Sequence, residues 1–298
     1  MPQATANGLT LEYDTFGDPS DPPMLLIMGV GAQMILWPPE LCEALAERGF
    51  YVIRFDNRDI GLSQKLEDMK VPSIPLSMIM ARLGLKPRAP YSLSDMADDA
   101  VGLLDALGYD KAHIVGASMG GMIAQHVAAK HADRTLSLCS IMSTTGHRKL
   151  EQADKEAIGA LVTRPKDTQI DTIREHGLML TRAIGSPGFP PDPDRARDRA
   201  EEAFKRSYYP DGITRQMAAI LADGDRREVC AKVKAPTLVL HGEDDPLVKL
   251  AGGQDTAAHI PGAKLHTIEG WGHDLPLELV DEIADAIAQN AKSARAAA

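Results

Sequence analysis

Short apolar runs recur along the chain, and between them apolar residues return at intervals of three and four. The runs "MLLIMG" from Met24, "YVIRFD" from Tyr51, "HIVGAS" from His113, "TLSLCSIMS" from Thr135 and "TLVLHG" from Thr237 predict strands buried on both faces. The spaced pattern predicts helices. "PELCEALAERG" opens with Pro39 and stops at Gly49, and a helix is expected from about Met119 to His131. In "YSLSDMADDAVGLLDALG", Ser92 and Asp95 are spaced as a capping box, with Met96, Ala100, Leu104 and Leu107 on one face. Ahead of all these, Asn7-Gly8 between β-prone flanks predicts a hairpin. Strands that alternate with helices imply a doubly wound α/β core, a mostly parallel sheet with helices on both faces.

The alternation stops after Ser143. Until about Val229 only helical patterns occur, among them "DTIREHGLMLTRAI" and "DRARDRAEEAFKRSYY", with "GSPGFPPDPD" as one long irregular loop. Residues 144–229 are therefore expected to form an inserted helical lid on a core made of residues 1–143 and 230–298. Strand and helix patterns resume with "APTLVLHGEDD", a helix from about Leu247, "AKLHTIEGWGHD" and a last helix from about Leu277, and the final "AKSARAAA" has the character of a frayed tail. The connection from Gln64 to Pro90 is longer than needed. Its "SIPLSMIMARLGL" is expected to pack in the core, or else to complete an apolar pocket with the lid.

A chain of 298 residues with 44% hydrophobic content is long enough to bury a large core. The net charge of −10, spread along the chain, opposes extended contact with nucleic-acid phosphates or anionic lipid, so neither is an expected partner. Cys42, Cys139 and Cys230 are far apart and form neither a CxxC pair nor a disulfide framework, which suits small buried residues in a reducing compartment. No charged stretch leads into an apolar run at the N-terminus, and "MLLIMG" is far too short to cross a bilayer; a cytoplasmic location is the simplest expectation.

Gly116-Ala117-Ser118-Met119-Gly120 matches G-x-S-x-G between a strand and a helix. A sharp turn there can expose a serine only if the residues two before and two after leave room for backbone, although serine is also a common helix cap. The histidines separate the two readings. His126 and His131 share no helix face, His147 and His176 lie in charged lid segments, and His113, His259 and His266 border helices or strands without a turn signal. His241 ends a strand, where it can bond to backbone. His273 lies in a glycine-flanked loop, "EGWGHDLP", at the edge of the sheet where ligands bind in this architecture. Glu243, Asp244 and Asp245 supply a carboxylate between serine and histidine, in the chain order stated for α/β-hydrolases. No HExxH, Cys-His cluster or phosphate-binding fingerprint occurs, and no metal or cofactor is implied. Trp37 and Trp271 flank the candidate loops and are either pocket walls or packing beneath them.

With these motifs the chain resembles the α/β-hydrolase family over nearly its whole length. "HGEDDPLV" resembles the family's acid loop and selects Asp245; "WGHDLP" is similar to its histidine loop; "FDNRDIGLS" is similar to D-x-R-G-x-G-x-S, with Asp59 in place of the usual glycine. With "MG" in "LLIMGVG" where many relatives have His-Gly, the chain looks most like the branch containing aclacinomycin methylesterase. The resemblance implies an α/β-hydrolase fold and a serine carboxylesterase acting on a small-molecule ester of apolar character, with Ser118, Asp245 and His273 as catalytic triad and the N–H groups of Val30 and Met119 as oxyanion donors. A lactonase, C–C bond hydrolase or perhydrolase would use the same triad, and a ligand-sensing protein could keep the fold alone. Met28 bears on the loop geometry, because the usual histidine there bonds the loop's own backbone. Asp56, Arg58 and Asp59 are expected to form a structural turn with an ion pair.

Overall fold

The computed structural model describes residues 1–296. In chain order its elements are β1 (Gln3–Ala6), β2 (Leu9–Phe16), β3 (Pro23–Ile27), α1 (Pro39–Glu47), β4 (Tyr51–Phe55), α2 (Ile74–Arg82), α3 (Leu93–Ala106), β5 (Ala112–Ala117), α4 (Met119–Lys130) and β6 (Thr135–Ile141). Five helices follow without a strand: α5 (Lys155–Val162), α6 (Ile170–Ile184), α7 (Pro193–Arg206), α8 (Pro210–Asp223) and α9 (Arg227–Cys230). Then come β7 (Thr237–Gly242), α10 (Leu250–His259), β8 (Lys264–Ile268) and α11 (Val280–Ala296).

The strands form one sheet in the order β1-β2-β4-β3-β5-β6-β7-β8. β1 and β2 pair antiparallel, and every pairing from β4 to β8 is parallel. The hairpin between β1 and β2 turns on Asn7 and Gly8, both at positive φ (49° and 77°), as a two-residue turn that follows the strand twist requires. Alternation along β3 divides the core. Leu25 and Ile27 pack with Ile53, Phe55 and Ile114 under α3 and α4, while Met24 and Leu26 pack with Val52, Val115 and Ile141 under α1 and α11. Because both faces are covered, the strands read as continuous apolar runs. The Ser92–Asp95 capping box closes the first turn of α3 as expected.

Two expectations change. In the segment from Gln64 to Pro90, "SIPLSMIMARLGL" contributes no residue to the core clusters: α2 rests on α8, yet Leu76, Ile79, Leu83 and Leu85 face outward. Residues 291–296 of the expected tail instead continue α11, which runs to Ala296; residues 297–298 of that tail lie outside the described part. Parallel strands place the loops after β3, β5, β7 and β8 at one edge of the sheet, and these carry Val30, Ser118, Asp245 and His273.

Candidate active site

Ser118 lies between β5 and α4 with φ 57° and ψ −120°, a conformation L-residues adopt only under constraint. The constraint is mostly main chain. Ser118 N–H donates to Ile141 O (2.9 Å), and the Ser118 carbonyl accepts from Gly121 N–H (2.9 Å) and from Ser143 Oγ (2.9 Å). Glycine is obligatory on both sides. A Cβ at Gly116 would lie 2.1 Å from Gly120 O, and one at Gly120 would lie 1.9 Å from Ile27 O. No serine cap hydrogen bond is made to α4, so the hydroxyl is left for another partner.

That partner is His273. Its Nε2 lies 2.9 Å from Ser118 Oγ, and its Nδ1 lies 2.7 Å from Asp245 Oδ2. Asp245 is buried, and its other oxygen, Oδ1, accepts the N–H groups of Leu247 and Val248 (2.8 Å each). The carboxylate is thus both a turn cap and the group facing the imidazole. Asp244 points elsewhere, accepting Gly270 N–H (2.9 Å) at the surface, and Glu243 accepts from Thr267 Oγ1 (2.7 Å). The structure therefore brings Ser118, Asp245 and His273 together and leaves the two neighbouring acids apart.

Three of the other histidines are engaged elsewhere. His241 Nε2 is 2.7 Å from Val248 O, and its burial holds the ring below the ordinary histidine pKa. His126 faces Asp223 and His131 faces Asp98.

The loop after β3 approaches the serine closely, since a Cβ at Gly29 would lie 3.2 Å from Ser118 Cβ. The N–H groups of Val30 and Met119 donate to no acceptor among the described residues. Met119 opens α4, so its N–H precedes the first bond of the helix, at the end where the helix dipole is positive. With Met28 in place of histidine, the loop is held from outside itself. Asn57 Nδ2 donates to Met28 O (2.9 Å), Gly31 N–H donates to Gln216 Oε1 (2.9 Å), and Gln216 Nε2 donates to Arg58 O (2.9 Å). Gln33 Nε2 donates to Ala203 O (2.6 Å) and Ser207 O (2.9 Å) at the end of α7.

The histidine loop is likewise tied to the helices between β6 and β7. His273 N–H donates to Ile184 O (2.7 Å), Gly272 N–H to Ser186 Oγ (2.9 Å), and Ser186 Oγ–H to Asp274 Oδ1. Burial raises the Asp274 carboxyl above the ordinary aspartate pKa, and hydrogen bonds from Ser186 offset only part of that. Gln216, Gln33, Asn57 and Ser186 were not among the residues singled out from sequence, because none belongs to a catalytic residue pattern. Asn57 alone had a signal, its place in "FDNRDIGLS".

Trp37 and Trp271 are corrected as pocket walls. Each has 0% of its surface exposed and packs in the core cluster beneath the loops, so neither offers surface to a ligand. The indole supplies apolar volume there, and Trp271 Nε1–H is satisfied by Asp274 O (2.8 Å). The turn after β4 holds three ion pairs in place of the one expected: Asp56–Arg206, Arg58–Asp99 and Asp59–Arg215. Asp59 adopts φ 69°, the left-handed conformation a glycine would take without strain, and both its oxygens accept from the buried Arg215 of α8. Among the described residues no group of three or more His, Cys, Asp and Glu side chains is placed to hold a metal ion, and no helix is long and apolar enough to cross a membrane.

Compared with known families, residues 22–278 match the one described as alpha/beta hydrolase fold. Among curated proteins the chain is similar to rhodomycin D methylesterase DauP of Streptomyces sp. (strain C5), 28% identical, with 97% of each chain covered. It is equally similar to rhodomycin D methylesterase DnrP of Streptomyces peucetius, at 28% identity and 97% of each chain. Among solved structures it is similar to a mutant of the meta-cleavage product hydrolase CumD from Pseudomonas fluorescens IP01, with a TM-score of 0.76 and 21% identity over 99% of this chain and 98% of that one.

Proposed function

Because the chain belongs to the alpha/beta hydrolase fold family, we propose that it is a serine hydrolase of carboxylic esters that works through an acyl-enzyme. The observation that carries this reading is the unbroken line of two hydrogen-bond contacts from Asp245 through His273 to Ser118, 2.7 and 2.9 Å long. As His273 Nε2 takes the hydroxyl proton, Ser118 Oγ forms a bond to the ester carbonyl carbon. The carbonyl oxygen becomes an oxyanion beside the N–H groups of Val30 and Met119, and Asp245 supports the imidazolium. Collapse of this intermediate breaks the ester C–O bond, and the proton passes from His273 to the leaving alcohol. Water then repeats the sequence on the acyl-enzyme, releasing the acid and restoring Ser118.

The names of the two methylesterase relatives support methyl esters as the first substrate class to try. In the same reading residues 144–229 form a cap, and residues 1–143 and 230–298 form the core that carries the triad. The test is turnover of p-nitrophenyl acetate and butyrate, with fluorophosphonate labelling. Ser118→Ala should abolish labelling and lower kcat by about 10⁶-fold. Equal slow turnover by wild type and Ser118→Ala would sink the proposal.

A further inference from the structure

The densest run of exposed large hydrophobics among the described residues lies outside the site. Of fifteen exposed large hydrophobic residues among those described, seven fall between Met69 and Leu85. The polarity of α2 is inverted: its buried residue is Ser77, while Leu76 and Ile79 are 57% and 58% exposed, and Leu83 at its end is 68% exposed. Leu76, Ile79 and Leu83 are spaced i, i+3, i+7 and so share one stripe of the helix.

The same segment reverses the charge of the chain. Overall the net charge is −10, yet between Asp68 and Asp95 there is no acidic residue, and Lys70, Arg82, Lys86 and Arg88 stand there. Arg148 joins them from a distant part of the chain, its guanidinium lying where a Cβ at Gly84 would come within 2.9 Å. No acidic side chain among the described residues pairs with any of these five cations. An apolar stripe edged by unpaired cations is the pattern of a helix that lies in a lipid interface, with its leucines at the acyl boundary and its cations among anionic headgroups.

We propose that residues 69–88, with Arg148, form a docking surface for an anionic lipid surface. A second copy of the chain fits this face poorly, because two-fold pairing would set five cations against five. The chain-wide charge repels such a surface, so binding should be local, weak and sensitive to salt. α2 rests on α8, the helix whose Gln216 holds the loop after β3, so docking would place the lipid against the layer that supports that loop. The inference does not depend on the hydrolase reading, and Ser118→Ala should bind as wild type does.

The experiment is co-sedimentation of the whole protein with phosphatidylcholine vesicles, with and without phosphatidylglycerol, alongside sedimentation velocity. Wild type should partition onto the anionic vesicles only, and less so as salt rises. Leu76→Ser/Ile79→Ser/Leu83→Ser and Arg82→Glu/Lys86→Glu change exposed side chains only. Each should lower the partition by about tenfold or more while leaving melting temperature and solution turnover of p-nitrophenyl acetate unchanged. Absence of binding to anionic vesicles, or equal binding by wild type and both variants, would overturn the proposal. So would a concentration-dependent dimer that the leucine variant abolishes, which would assign the face to a second copy.

Discussion

Ser118 is set by the sheet, whereas the loops that face it are set largely by the helices between β6 and β7. On the nucleophile side the contacts are mostly main chain to main chain: Ile141 O receives the Ser118 N–H, and glycine at positions 116 and 120 lets backbone pass within van der Waals range, with the Ser143 hydroxyl as the one side chain that donates to the Ser118 carbonyl among the described residues. On the opposite side, Gln216 holds Gly31, Gln33 holds the end of α7, and Ile184 and Ser186 hold the loop of His273. A nucleophile placed by strand pairing is as rigid as the core. Loops placed by side chains from a remote segment can be adjusted, or lost, one hydrogen bond at a time.

The acid loop belongs with the rigid side, because Asp245 is capped by its own turn. Asp245→Asn should cut kcat by about 10⁴-fold, the cost of a misoriented imidazole, while Asp244→Asn should change it little. Equal losses in steady-state kinetics would place both acids in one role and blur the contrast.

The next effect is on stability. Replacing Asp59 with glycine relieves a left-handed conformation worth about 1 kcal/mol but strands the buried Arg215, at about 3–5 kcal/mol. Asp59→Gly should therefore destabilise by roughly 2 kcal/mol or more in urea melts, and adding Arg215→Met should recover most of the loss. A stabilised single variant would mean that the latch between the β4 turn and α8 is dispensable.

Gln216→Ala removes the acceptor of Gly31 N–H without touching Ser118. It should lower kcat by about 10- to 100-fold, up to the cost of losing one oxyanion donor, with fluorophosphonate labelling retained. Unchanged kcat would show that the loop after β3 is as self-supporting as the serine turn.

The smallest effect concerns Asp274, half-buried at the tie to Ser186, with its pKa raised by burial. A carboxyl whose folded pKa exceeds its unfolded value contributes stability when protonated, in full below the ordinary aspartate value. That contribution is lost as pH rises through the folded pKa. Asp274→Asn should therefore gain in melting temperature relative to wild type on going from acidic to neutral pH, and an opposite trend would reverse the sign assigned to this group.

Much of the site could be read locally. The hairpin at Asn7-Gly8, the capping box at Ser92 and the turn at Ser118 depend on neighbours within a few residues, so their chemistry is written in short strings. Choosing Asp245 over Asp244 and Glu243 took the family resemblance. All three end the same strand, and only folding shows which carboxylate is buried against His273. Trp37 and Trp271 have the residue type of pocket walls, but both lie fully buried in the core cluster that also holds the inward face of α11, which no short string of sequence records.

Periodicity determined the parallel sheet and the order of its helices, because an apolar run or stripe must be buried wherever the chain takes it. It determined neither the partner of Gly31, which lies 185 residues away in Gln216, nor the outward face of α2. An amide that can donate and accept on any helix carries no mark of the loop it will meet. A leucine stripe has the same pattern whether it is covered or bare. Those assignments belong to tertiary structure, which alone sets the distances between elements remote in sequence.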